Sequence, residues 1–304
     1  MFRKLTSTSK SNIKKKISPV LLIIFLLLAV LILFQVIAQD VRIGSQENPT
    51  KEEESAKKAT FADQFSADST LSEVGSLSGS KSPDWWLNSG AYLNIKDGVA
   101  STIQGNLASG DKWRQLYNKN NPAETDNGAH PQNIFRLVTR SKWRNYSQEA
   151  YFKINRNNFS TDPHRDASNG LLLFNRYRDG NNLYYAGLRV DGTVVIKKKT
   201  ESVYYTMAQK RIYTGAYDRN NNQNLLPQNQ WTGVKTEVRD TGNGVVNIRL
   251  YIDAKRDKNW QLVLEANDSG RDFGGRTISN EGFAGIRTDF MDVEFDDYKI
   301  TETN

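Results

Sequence analysis

The chain has 304 residues, of which 25% are charged and 38% hydrophobic, a balance that suits a folded protein and excludes wholesale disorder. It has no cysteine and only two histidines, His130 and His164, which excludes disulfides, iron–sulfur clusters, thiolate metal sites and a cysteine nucleophile. Six of the 41 basic residues precede residue 40 and leave 35 against 34 acidic ones, so the positive excess is a tail and nucleic acid is not an expected partner.

Residues 1–16 are that basic tail. Pro19 follows, then an apolar run from Val20 to Phe34, interrupted by Gln35 and closed by Val36, Ile37 and Ala38. As a helix at ~1.5 Å per residue, the stretch from Val20 to Ala38 reaches about 28 Å, close to a bilayer core. Residues 17–38 are therefore expected to be a transmembrane signal anchor or a signal peptide cut after Ala38, and the spanning length leans toward the anchor. The preceding lysines orient it with the tail in the cytoplasm. Either reading places residues 39–304 outside the cytoplasm, at the cell membrane or secreted. Residues 39–58 carry mixed charge, no aromatic ring and no apolar face, and read as a polar tether.

From residue 59 onward the pattern has period two, with turn residues at short intervals. Runs at 61–65, 91–95, 98–103, 133–139 and 149–154 lead to the clearest part, 170–177, 182–190 and 193–199. Asp179-Gly180 and Asp191-Gly192 separate these three and signal hairpins, because glycine readily takes the positive φ that such turns need. Further runs at 203–210, 233–239, 245–253, 260–266, 282–288 and 292–301 complete the series. No helical stripe of ten residues follows the apolar segment, and no fixed repeat suggests a propeller or solenoid. The expected fold is all-β, a two-sheet antiparallel jelly-roll sandwich over residues 59–304. Its inward face should include Val234, Val238, Val246, Ile248, Leu250, Ile252, Leu262 and Leu264. Trp85 and Trp86 read as core anchors rather than a sugar platform.

Three phrases carry a resemblance: FADQF at 61–65, LNIKDGVAS at 93–101 and GFAGIRTDFMDVEFDDYKIT at 282–301. They resemble the first and last strands of the concanavalin A-like lectin/glucanase superfamily, which includes laminin-G-like binders and jelly-roll polysaccharide lyases. The resemblance implies the sandwich and a carbohydrate ligand, but not one activity, since one fold carries many. It also implies a structural Ca²⁺ clamping the first strand to the last, with Asp63, Asp296 and Asp297 as candidate ligands.

Within the strands, Arg136, Arg176, Tyr185, Arg189 and Lys197 are the candidate binding residues. If Tyr184, Ala186, Leu188 and Val190 face the core, then Tyr185, Gly187 and Arg189 share the opposite face. A sheet lined by arginine, lysine and tyrosine suits a polysaccharide, because guanidinium forks grip carboxylates and aromatic rings stack on sugars. The leading expectation is thus a surface-displayed glycan-binding module held to the membrane by the N-terminal helix. An alternative is a lyase acting by β-elimination on a uronic-acid polymer, with Arg189 or Arg136 neutralising the carboxylate, His130 or His164 as base, and Tyr185 or Tyr204 as acid. A structural or adhesion module without a glycan is the third. Asp292, Glu294 and Asp296 alternate on one strand, but their spacing departs from the Glu-x-Asp-x-x-Glu strand of laminarinase-type glucanases, and a solvated face is expected there.

Overall fold

The computed structural model describes residues 59–304. The basic tail, the apolar segment and the tether lie outside the described residues. No helix among the described residues is long and apolar enough to cross a membrane.

The strands in chain order are β1 (Thr60–Asp63), β2 (Ser69–Ser72), β3 (Trp85–Ser89), β4 (Tyr92–Lys96), β5 (Val99–Ser101), β6 (Ile134–Trp143), β7 (Tyr146–Asn157) and β8 (Gly170–Asp179). They continue as β9 (Asn182–Arg189), β10 (Thr193–Thr200), β11 (Val203–Arg211), β12 (Trp231–Asp240), β13 (Val246–Asp253), β14 (Gln261–Asp268), β15 (Gly282–Asp289) and β16 (Met291–Glu302). One α-helix among the described residues, α1 (Lys112–Asn120), interrupts them, beside two single 3-10 turns. A nine-stranded sheet runs β14-β13-β12-β7-β16-β5-β4-β2, with β1 also paired to β16; a seven-stranded sheet runs β11-β10-β9-β8-β15-β6-β3. The two antiparallel sheets form the expected sandwich.

Alternation explains which side chains lie between them. Tyr184, Ala186 and Leu188 of β9 meet Val234, Val238, Val246, Ile248, Leu250 and Ile252 of β12 and β13 in one core. Trp85 belongs to that core, edge-on to Tyr298 with ring centroids 4.7 Å apart. Leu262 does not: a register irregularity opposite Leu250 and Tyr251 slips the parity of β14, and Leu262 is 51% exposed while Val263 and Leu264 pack inward. The expected inward place of Leu262 is corrected accordingly.

Both Asp-Gly pairs mark hairpins. Asp179 pairs with Asn182 across the first. The second is a loop at 190–192 in which Gly192 takes φ +79° and donates its N–H to the Arg189 carbonyl at 2.9 Å.

Helix α1 has nine residues, too few for the ten-residue stripe sought in the sequence. Asp111 caps it, accepting from the amides of Trp113 at 2.7 Å and Arg114 at 3.3 Å, a contribution of about 1 kcal/mol. Its buried residue, Tyr117, donates to Glu73 at 2.5 Å and accepts from the Gly90 amide at 2.8 Å. This anchoring fixes the start of the loop that carries Asn121 and Glu124 to the edge of the pocket described next.

A cationic, aromatic pocket on the seven-stranded sheet

The outer face of the seven-stranded sheet is not simply a wetted surface. Val138, Leu172, Phe174, Tyr177, Leu183, Tyr185 and Val195 form a second apolar cluster there, flanked by Trp86 and Phe283. Over it lies a cavity of about 230 Å³, lined by Arg136, Tyr177, Lys199, Tyr204, Arg287 and Asp289, with Asn121 and Glu124 contributed by the loop after α1.

Strand order makes the pocket. Because β15 lies between β6 and β8, Arg287 stands directly opposite Arg136 on one side and Leu172 on the other. Two like charges opposite each other are unfavourable. Asp289, two residues along β15, relieves one of them by accepting from Arg287 Nε at 2.8 Å. Burial works against the Arg287 charge, but Asp289 and then the Tyr204 and Tyr185 phenols outweigh it and hold the guanidinium firmly protonated.

Arg136 is relieved less directly. Its charge reaches Asp289 only after that of Arg287, it makes no ion pair among the described residues, and its Nε is sealed from water without an acceptor. Lys199 donates to the Gly180 carbonyl at 2.7 Å and sits 4.6 Å from the centre of the Tyr204 ring, but has no carboxylate ion-pair partner among the described residues. Lys197 lies 6.0 Å from the same ring, also without an ion pair among them. Burial first, then Arg189, lowers the Lys197 pKa. For Tyr204, burial would raise the phenol, but Arg287 and then Lys199 outweigh it and make this tyrosine more acidic than usual. Tyr185 goes the other way: burial raises its pKa, and at 5% exposure it serves as floor, edge-on to Tyr204 at 6.1 Å.

The structure thus brings Arg136 and Tyr204 into one pocket and sets Tyr185 and Lys197 beside it. Arg189 shares the face but is tied elsewhere, donating to the Ala167 carbonyl at 3.1 Å and to Asp191 at 2.9 Å. Arg176 is a correction. It is a candidate binding residue by type and strand, but the backbone takes φ +47° at Arg176 within an irregularity between Asn175 and Asp179. The bulge turns Tyr177 outward and sends Arg176 in, fully buried and paired with Asp240 at 2.8 Å.

Neither histidine lines the pocket. His130 is buried, with Nδ1 2.7 Å from Asp126 and Nε2 2.6 Å from Asn106. His164 is exposed and lies 3.0 Å from both Glu124 and Asp162. These three residues place one donor atom each within 4.8 Å of one another. Asp63 accepts from the Trp85 indole at 2.7 Å and the Phe65 amide at 2.8 Å, while Asp296 and Asp297 both accept from Arg256 Nη2, the latter at 2.9 Å. Asp292, expected on a solvated face, is instead buried and accepts from the Gly105 amide at 2.7 Å, Gln132 at 2.8 Å and Asn158 at 3.0 Å. The irregularity between Asp292 and Val293 accounts for its inward turn.

Sequence reasoning missed Arg287, Asp289, Tyr177 and Glu124. The signal for two of them was present: Phe283, Gly285, Arg287 and Asp289 alternate along a run whose intervening Ala284 and Ile286 are core residues.

The arrangement is an all-β sandwich of two antiparallel sheets with a basic, tyrosine-lined pocket on one of them. No family model matches the sequence. No curated protein matches it. Among solved structures it is similar to the carbohydrate-binding module CBM66 from Bacillus subtilis, at 14% identity over 72% of this chain and 95% of that one, with a TM-score of 0.44. It is also similar to a prokaryotic β-1,3-1,4-glucanase (lichenase) from a mouse hindgut metagenome, at 10% identity over 80% of this chain and 99% of that one, TM-score 0.43. A third is the xylan β-1,4-xylosidase from Bacillus halodurans C-125, at 12% identity and TM-score 0.42, which shares 85% of this chain but only 41% of its own length.

Proposed function

We propose that the protein is an extracytoplasmic carbohydrate-binding module, held at the cell surface by its N-terminal apolar segment, and that the glycan seats in the pocket over the seven-stranded sheet. One observation carries this reading: Arg136, Lys197 and Lys199 cluster around tyrosine rings with no carboxylate partner of their own among the described residues. Unpaired cations beside aromatic faces are what a sugar with acceptor oxygens satisfies. A glycan array probed with the full-length chain in detergent should give a defined set of bound sugars. Arg136→Ala should weaken them about tenfold, the cost of one or two charge-assisted hydrogen bonds. An empty array would remove this reading in favour of a structural or adhesion module, and an unaffected Arg136→Ala would move the site elsewhere.

The acidity of Tyr204 favours a second reading, β-elimination on a uronic-acid polymer. A phenol made acidic by Arg287 and Lys199 is suited to take the C5 proton beside a carboxylate, which Arg136 or Arg287 would neutralise; the C4=C5 bond forms as the C4–O bond breaks, and the leaving oxygen takes a proton back from Tyr204 or from water. Elimination leaves an unsaturated product that absorbs in the near ultraviolet. The rate should rise with pH toward the lowered pKa of Tyr204, because the phenolate is the base, and should vanish in Tyr204→Phe. A flat absorbance with polyuronates across that pH range would leave binding alone.

A further inference from the structure

A second depression opens on the same face, lined by Lys142, Tyr177, Arg178, Glu281 and Phe283. It shares Tyr177 with the first pocket. Pairing explains the arrangement: Phe283 of β15 stands opposite Lys142 on β6 and opposite Tyr177 on β8, so the three form one cross-strand row. Four residues farther along β15 comes the row of Arg136, Arg287 and Leu172 that makes the first pocket. At ~3.3 Å per residue the two rows are about 13 Å apart.

Between them β15 carries Gly285, flanked by Phe174 and Val138. A Cβ there would lie 2.2 Å from the Leu137 carbonyl oxygen, so the position excludes a side chain. The central strand therefore reads ring, gap, guanidinium along its outer face, with nothing rising between the two depressions on that strand. Each depression also repeats the same chemistry. Lys142 Nζ lies 5.5 Å from the Phe283 ring without a carboxylate ion-pair partner among the described residues, as Lys199 does over Tyr204. Each also holds one glutamate, Glu281 or Glu124.

We infer that the two depressions are subsites for one linear acidic glycan lying along β15, with a carboxylate-bearing sugar at each end of the span. This rests on the glycan-binding reading above and specifies its ligand class. Cations at both rows select an anionic chain. The glutamate in each depression accepts sugar hydroxyls and opposes the denser charge of a sulfated chain. The aromatic ring between the cations provides a stacking surface that a diffuse polyanion site would not need.

The test uses the full-length chain in detergent and polygalacturonate cut to graded lengths, with methyl-esterified polygalacturonate and dextran sulfate as controls. Affinity should climb with oligomer length and then level off once both rows are filled. Lys142→Ala, on an exposed residue, should flatten that climb, weakening polymer binding about tenfold while leaving the shortest oligomers within about twofold. Phe283→Ala should do the same if its melting temperature is retained. Length-independent affinity, or an equal loss at every length in Lys142→Ala, overturns the second subsite. Equal binding of the methyl ester, or tighter binding of dextran sulfate, overturns the carboxylate class. Binding of neutral glycans alone on the array keeps the parent reading and overturns this one, whereas an empty array removes both.

Discussion

Replacing Arg176 by alanine is expected to lower the stability of the sandwich by about 3–5 kcal/mol, the usual cost of removing one partner of a buried ion pair. For a domain of this size that corresponds to a fall in melting temperature of roughly 10 °C. The guanidinium is wholly buried, lies 2.8 Å from Asp240, and donates to the Arg144 carbonyl at 2.9 Å, the Ile278 carbonyl at 2.9 Å and Asn145 Oδ1 at 3.2 Å. It thereby ties the β6–β7 turn, the end of β12 and the segment before β15 to one planar group. Arg176→Lys should recover only part of the loss, because an ammonium cannot reproduce the fork that serves acceptors in three directions. Denaturation of the full-length chain in detergent measures this. Glycan affinity of the folded protein should be unchanged in the lysine variant; a binding defect without a stability defect would return Arg176 to the ligand face.

A comparable loss is expected for Asp268→Asn. Lys198 and Asp268 are both fully buried, 2.8 Å apart. Asp268 also accepts from the Tyr184 hydroxyl at 2.6 Å and the Gly270 amide at 2.8 Å, while Lys198 donates to the carbonyls of Gly275 at 3.0 Å and Arg276 at 2.8 Å. The network joins β9 and β10 of one sheet to β14 of the other. Removing the carboxylate leaves a buried ammonium with carbonyl partners only, which should cost about 3–5 kcal/mol. The double variant Lys198→Met/Asp268→Asn leaves no lone charge and should be more stable than Asp268→Asn alone. A double-mutant cycle reads this directly, and additive losses would mean that the two charges are not coupled.

Much of the fold was legible because period two is a local signal. In β9 the alternation sorted Tyr184, Ala186 and Leu188 inward and Tyr185, Gly187 and Arg189 outward without any tertiary information. The same reasoning misplaced Arg176, Leu262 and Asp292, all beside irregularities in strand register. A single inserted residue reverses parity for everything beyond it, and hydrophobicity alone does not mark where that happens. The pocket was legible only in part, for a different reason. Arg136 and Tyr204 could be picked by residue type, but Arg287 becomes their neighbour only because β15 inserts between β6 and β8. That strand order is a long-range property with no local trace. Helix α1 escaped notice because it is short and Tyr117 is its one buried residue, though Asp111 offered a capping signal.

The strand order also governs when this chain can fold. β15 and β16 follow every other strand in the chain, yet β15 joins β8 to β6 in the seven-stranded sheet and β16 joins β7 to β5 in the nine-stranded one. While the polypeptide is being synthesised, at about 5–20 residues per second, neither sheet can be completed until these two strands have left the ribosome. The hairpins from β8 to β11 and the set β7-β12-β13-β14 can form earlier, but β8 keeps an open edge until β15 docks and β7 keeps one until β16 docks. Residues 59–304 are thus kept from their final packing until β15 and β16 have been made. A premature stop before Gly282 would remove the joining strand from both sheets at once and leave those edges to pair with other copies.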